Sequence, residues 1–291
     1  MNMENENPLI DLKSLTEPLS KLVDALSTGM GNLYSPFGTV RQAKADAEAK
    51  IIHAVADSEV LSLQQRAVHR VEYLETQRQL NLEKISVEAA KEMPSLISNE
   101  SVSKDWILQF FDAAKDVCDD DMQKLWGRLL AEEVAKPDSY SKRTLHFLKT
   151  MDKTEAVGFS NFCRFAFADS HGWNFIFGSD VTSERMAELQ NNIDFVSHFM
   201  HTGLISSNTL TKVSSINNAK IKYFGDEFDV TAPEEPKSGL GYVYDRVSFT
   251  QIGQELSTIV KCEPVDGYAE QISEYLEKEL SIVLSPRVAE A

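Results

Sequence analysis

Asp105-Trp-Ile-Leu-Gln-Phe-Phe-Asp112, followed by Asp119-Asp-Asp-Met-Gln-Lys-Leu-Trp-Gly-Arg-Leu-Leu-Ala131, is the stretch that decides the fold. In the first run Trp106, Ile107, Phe110, Phe111, Ala114 and Val117 recur at helical spacing and make one apolar face. In the second, Met122, Leu125, Trp126, Leu129, Leu130 and Val134 do the same, and Pro137 closes the helix. Two amphipathic helices this close together predict a compact helical domain with Trp106, Phe110 and Trp126 as its core anchors. If Trp126 is buried, truncating it to Ala costs about 3–5 kcal/mol. The aspartates 119–121 sit where a helix begins, so they suit the positive end of the helix dipole as cap and first turn. As a magnesium site they lack support, because three successive carboxylates do not converge on one ion and no phosphate-binding loop accompanies them.

Further helices continue toward the C-terminus. Ser139 and Ser141 precede Thr144, Leu145, Phe147, Leu148 and Met151, and Asp152 with Glu155 makes a capping-box pattern before Ala156, Val157, Phe159, Phe162, Cys163, Phe165 and Ala166. The helical domain is therefore placed at residues 94–170. Beyond it, Trp173–Phe177 reads as a strand, Ser183 to Met200 as a helix capped by Gly203, and Ala219–Val230 and Gly241–Phe249 as two strands. A helix from Thr250 to Val260 and a terminal amphipathic helix through Tyr268, Ile272, Tyr275, Leu276 and Val283 follow. Helix, Gly-Leu-Ile, hairpin and helix in this order resemble a degenerate winged helix, so residues 171–291 are expected to form a small α+β domain.

Toward the N-terminus, residues 39–93 contain neither Gly nor Pro and are rich in good helix formers. One continuous helix of about 55 residues would be about 80 Å long, far beyond an average globular helix, so the expected object is a long helix, straight or bent near Ser58. A heptad placed on it puts Val60, Ala67, Leu74 and Asn81 in one row and Gln64, Val71, Arg78 and Ile85 in the other, a half-apolar seam suited to packing on other helices or on copies of itself. Arg66, Arg70 and Arg78 are candidate interaction residues there, with Glu72, Glu75 and Glu83 as alternative helical ion partners. Residues 1–38 hold a shorter amphipathic helix, with Leu15, Leu19, Leu22, Leu26 and Met30 on one stripe before a Gly/Pro hinge. Leu19, Leu22 and Leu26 either dock on a membrane surface or partner, or pack on the protein's own core. The whole reading is mainly α: a long N-terminal helix, a compact helical domain and a winged-helix-like C-terminal domain.

The 291 residues carry 29 Lys+Arg against 45 Asp+Glu, a net charge of -16, on an otherwise ordinary composition that is 42% hydrophobic. The last 121 residues hold 9 basic and 18 acidic groups, so that domain should repel a phosphate backbone and suits a protein partner better than nucleic acid. Cys118, Cys163 and Cys262 are odd in number and lack CxxC spacing, which argues against a disulfide framework or zinc site and fits a reducing cytoplasm. Neither a secretion signal nor an apolar run long enough to span a bilayer is expected. His198 and His201, with Asp194 one turn earlier, are a weak metal-ligand pattern without an HExxH motif. GxGxxG, GxxxxGK[ST] and GxSxG are absent, so no enzyme and no cofactor is expected.

The block 105–131, with Pro137-Asp-Ser-Tyr-Ser-Lys-Arg-Thr-Leu145, Leu9-Ile-Asp-Leu12, Gly29-Met-Gly31, Arg66-Ala-Val-His-Arg70 and Gln77-Arg-Gln-Leu-Asn-Leu-Glu83, resembles a bacterial family catalogued as domain-of-unknown-function family 2806. That resemblance implies no activity, cofactor or catalytic residue. The Met-Gln-Lys-Leu-Trp block is also similar to abortive-infection-type bacterial proteins, which implies a role in defence against phage. The expected function is a non-enzymatic interaction protein, a homo-oligomer through the long helix, that docks a protein partner through its acidic C-terminal domain. The alternatives are a nucleic-acid-binding regulator and a membrane-surface effector using the N-terminal helix.

Overall fold

The computed structural model describes residues 17–30, 62–189, 195–213, 219–232 and 242–287. The chain divides into two compact units, Met1–Lys153 and Thr154–Ala291. The first is helical: α1 (Glu17–Met30), α2 (Leu63–Glu92), α3 (Lys104–Ala114), α4 (Asp120–Ala135) and α5 (Lys142–Thr150). Trp106, Phe110 and Trp126 lie in its core, whereas Val117 and Leu125 are only partly buried. Trp106 stacks on Phe110 with ring centroids 5.4 Å apart, and Phe110 meets Trp126 edge-on at 5.4 Å. All three are buried, and the Trp106 indole N–H donates to the carbonyl of Tyr140 at 2.7 Å.

The aspartate run is a cap. Asp119 precedes α4 with extended backbone, and its side chain accepts from the amides of Asp121 and Met122. At the other end of α4, Glu133 is buried, and its carboxylate accepts from the amides of Asp138 at 2.9 Å and Tyr140 at 3.0 Å, closing the turn into α5. Burial pushes that carboxyl above the usual carboxylate range. Helix α1 lays Leu22, Ala25 and Leu26 into the same core. Leu22 and Leu26 are each 1% exposed, so the apolar face considered for membrane or partner docking is already covered by the protein's own core. No described helix is long and apolar enough to cross a membrane.

The second unit is α+β, so the mainly-α expectation holds only for the first. It contains α6 (Lys153–Cys163, all but its first residue), α7 (Asp180–Leu189), α8 (Phe195–Thr202), α9 (Gln251–Ile259) and α10 (Tyr268–Leu280). Its strands are β1 (Phe167–Ala168), β2 (Asn174–Gly178), β3 (Ile205–Val213), β4 (Ala219–Tyr223), β5 (Asp226–Thr231), β6 (Tyr242–Phe249) and β7 (Val283–Pro286). They form one antiparallel sheet in the order β3-β6-β2-β1-β4-β5-β7. The pairing departs from the expected hairpin. The stretch 219–230 folds back on itself as β4 and β5, turning at Phe224-Gly225 with Phe224 in the left-handed region at φ 51°, while β6 lies between β3 and β2.

Alternation along β2 and β6 assigns the aromatic residues to two faces. On one, Phe159 and Phe162 of α6 and Phe199 of α8 surround Phe249. On the other, Phe167 packs against Phe175, Phe177, Tyr223 and Tyr268. These contacts explain why the division falls at residue 153 and not near 170: Phe159, Phe162, Phe165 and Phe167, read from sequence as the end of the helical domain, are core residues of the sheet unit.

Candidate interaction surface

Helix α2 is where the structure most sharpens the sequence. It begins at Ser62, whose backbone is extended (φ -61°, ψ 159°) and whose hydroxyl accepts from the amide of Gln65, while the Gln65 side chain accepts from the amide of Ser62 at 2.9 Å. This reciprocal capping box starts a 30-residue helix. Of the long helix expected over residues 39–93, straight or bent near Ser58, the part from Leu63 to Glu92 is described and starts at Ser62; residues 39–61 lie outside the described residues.

The two halves of α2 differ. From Leu80 onward, Leu80, Asn81, Leu82, Ile85, Ser86 and Ala89 are buried. Packing on α4 is close because Gly127 has no side chain: a Cβ there would lie 2.6 Å from Glu88 Cβ and 2.9 Å from the Ala89 nitrogen. In the N-terminal half, every residue from 62 to 76 is exposed, a rod of roughly 20 Å at the helical rise. Leu63, Ala67, Val71 and Leu74 follow one another at steps of four, four and three, and continue through 78 and 81 to Ile85. They therefore lie on the face that α2 buries further along. Leu63 is 75% exposed, Val71 54% and Leu74 40%, and Val68 and Tyr73 are also exposed. Residues 63–77 carry Arg66 and Arg70 against Glu72 and Glu75, so this half is locally neutral on a chain of charge -16.

A polar collar marks where rod meets body. Arg78 places Nε 2.7 Å from Asp116 Oδ1 and Nη1 2.7 Å from Glu75 Oε1, and these hydrogen bonds hold its guanidinium above the ordinary pKa. Asn81 donates to the carbonyl of Lys115 at 3.0 Å and accepts from Gln123 at 3.2 Å. The polar seam positions thus serve the protein's own body. Of the three arginines singled out from sequence, Arg66 and Arg70 stand one turn apart on the exposed half, whereas Arg78 belongs to the collar. Leu19, Leu22 and Leu26 are on α1 and are not brought to this surface. Leu63, Val68 and Tyr73 were not anticipated; Ser62-Leu-Gln-Gln65, a helix start in sequence form, was the signal that would have found their exposed turn.

The other sequence candidates are structural. Lys153 Nζ lies 3.2 Å from Asp119 Oδ2 and 2.7 Å from Asp121 Oδ2, and Lys124 lies 3.0 Å from Asp121 Oδ1. Lys153 and then Lys124 bring Asp121 down to about 2. Cys163 is buried and its thiol is pushed well up by burial, as is that of Cys262 to a lesser degree, so neither is an activated nucleophile. His198 Nε2 sits 2.5 Å from Glu155 Oε1, and His201 Nδ1 donates to the Ser197 carbonyl at 2.7 Å; Asp194 lies outside the described residues. Among the described residues no group of three or more His, Cys, Asp or Glu is placed to hold a metal ion.

A family model described as "Protein of unknown function (DUF2806)" matches residues 65–273, from the first turns of α2 into α10. No curated protein and no solved structure matches the chain. The similarity to abortive-infection-type proteins finds no support, and the anti-phage role rested on that similarity alone. With its match running through most of both units, the chain belongs to the DUF2806 family.

Proposed function

We propose that this protein is a non-enzymatic interaction protein that self-associates through the exposed N-terminal half of α2. The observation that carries this reading is the apolar stripe Leu63, Ala67, Val71 and Leu74, presented to solvent on a helix whose other half is anchored in a folded core. An isolated helix of four turns is marginal in water, but this one is held in shape by the buried half, so association does not have to supply the cost of ordering it. Copies of so acidic a chain repel one another, and the locally neutral residues 63–77 add nothing to that repulsion. A four-turn stripe is at the low end of interface size, which gives an association that reverses on dilution. Sedimentation of the full chain over a range of concentrations tests it: a mass rising from one copy toward two supports the reading, and a single copy at every concentration removes it.

A second reading, docking of a basic protein partner, draws on α10, where Glu270, Glu274 and Glu277 are exposed one turn apart. The acids of β5 favour it less. Glu227 pairs with Lys222 and Arg287, and Asp229 pairs with Arg287, so much of the charge expected to face a partner is balanced within the sheet. Salt-sensitive retention on a lysine-rich peptide that survives the E270K/E274K double substitution would exclude α10 as the docking face.

A further inference from the structure

The seven-stranded sheet is thinnest at its middle strand. Strand β1 lasts two residues, Phe167 and Ala168, and pairs with only one end of β2 and with a single residue of β4, Lys222. On the core face of the sheet, beneath α10, a cavity of about 160 Å³ opens beside β2, β4 and β5. Phe175, Phe177, Ile221, Val230, Leu276 and Leu284 supply an apolar interior, and Asp169 and Ser170 of the turn after β1 mark its mouth. That volume matches the engineered apolar cavity of about 150 Å³ that takes up benzene.

Three charged residues line the cavity, Asp169, Lys220 and Arg246; Lys220 is exposed and alternates with Ile221 along β4, so its side chain leaves the apolar face, and Arg246 is the cation that remains on it. Arg246 lies opposite Phe177 in the register of β2 and β6, and it lines the cavity half-buried. Its guanidinium is held over the Phe175 ring, 4.8 Å from the centroid, and its Nε donates to Ser248 Oγ at 2.8 Å. Asp169, the carboxylate at the mouth, is committed elsewhere: Oδ1 accepts from the amides of His171 at 2.9 Å and Trp173 at 3.0 Å. Among the described residues no carboxylate forms an ion pair with Arg246. A guanidinium fixed by its Nε and by an aromatic ring still has donors on its two terminal nitrogens, in the fork geometry that matches a carboxylate.

We infer that this cavity is a binding site for a small apolar carboxylate, an aromatic or short-chain aliphatic acid, whose hydrocarbon part fills the space between β2, β4 and α10 and whose carboxylate meets Arg246. The inference is independent of self-association through α2, since every residue it uses belongs to the sheet unit.

Benzoate and hexanoate, with benzyl alcohol and hexanol as neutral counterparts, are the probes, titrated against the full chain while protein amide and methyl resonances are followed. Saturable shifts centred on Ile221, Val230 and Leu276 are expected for the acids, with the alcohols at least about tenfold weaker, the effect of losing a charge-assisted hydrogen bond. Arg246→Gln should bring acid binding down to the level of the alcohols, and Arg246→Lys, which keeps the charge without the fork, should fall between. Equal binding of acids and alcohols to the wild-type chain overturns the proposal without relying on any variant, as does the absence of binding by every probe. Acid binding unchanged in a folded Arg246→Gln chain overturns the role of the arginine.

Discussion

The two halves of α2 share one helix, one apolar stripe and one heptad phase, yet Ile85 is wholly buried while Leu74, eleven residues earlier on the same face, is 40% exposed. What separates them is the reach of the body. Packing of α4 through Gly127 covers the C-terminal half, and the collar of Arg78, Asn81, Asp116 and Gln123 ends that coverage. An amphipathic pattern states that a face will be buried; it does not state by what. In the lower half the answer is the protein's own core, and in the upper half we propose a second copy.

The contrast can be broken most strongly at Ile85. Ile85→Ala empties a fully enclosed site and should cost about 2–5 kcal/mol, whereas Leu74→Ala should change the stability of the unassociated chain by no more than about 0.5 kcal/mol. Chemical unfolding of the two variants at a concentration that keeps the chain unassociated measures both, and equal costs would show that the upper half is covered as well. Gly127→Ala comes next. The added methyl meets the backbone of α2, so the helices must separate, at about 1–3 kcal/mol in the same measurement.

The smallest effect concerns the cap of α4, on which the lower half rests. The carboxyl of Asp121 is depressed in the folded protein, to about 2 from 3.8. Its stabilisation is therefore fully present above the unfolded value and is lost as pH falls toward 2. Because the group is exposed the effect is modest. Unfolding midpoints between pH 5 and pH 2 should fall less steeply in Lys153→Met than in the wild-type chain, and identical slopes would show that the ion pair contributes nothing.

Much of the first unit was legible in the sequence, because Trp106, Phe110, Trp126 and Leu130 recur at helical spacing and bury one another locally. The start of α2 was harder. Ser62 lies in a stretch without Gly or Pro, and the capping box that starts the helix is a hydrogen-bond pattern more than a change of composition. Arg70 and Arg78 look alike in sequence, and only the arrival of Asp116 from the far end of α3 separates an exposed cation from a collar residue. In the second unit, β1 and β7 are too short to show a period, and the β4–β5 hairpin turns at Phe224-Gly225 instead of the Asn-Gly or Asp-Gly that would have announced it. Arg246 was unreadable for the same reason: its position on the core face follows from register with β2, a pairing between strands about 70 residues apart.

The most direct test of self-association is sedimentation of the full-length Val71→Glu/Leu74→Glu double variant beside the wild-type chain. Both positions are exposed, so thermal unfolding of the unassociated chain should match wild type. The account expects the wild-type mass to rise with concentration while the variant stays at one copy. A wild-type chain that associates to the same extent as the double variant would contradict it.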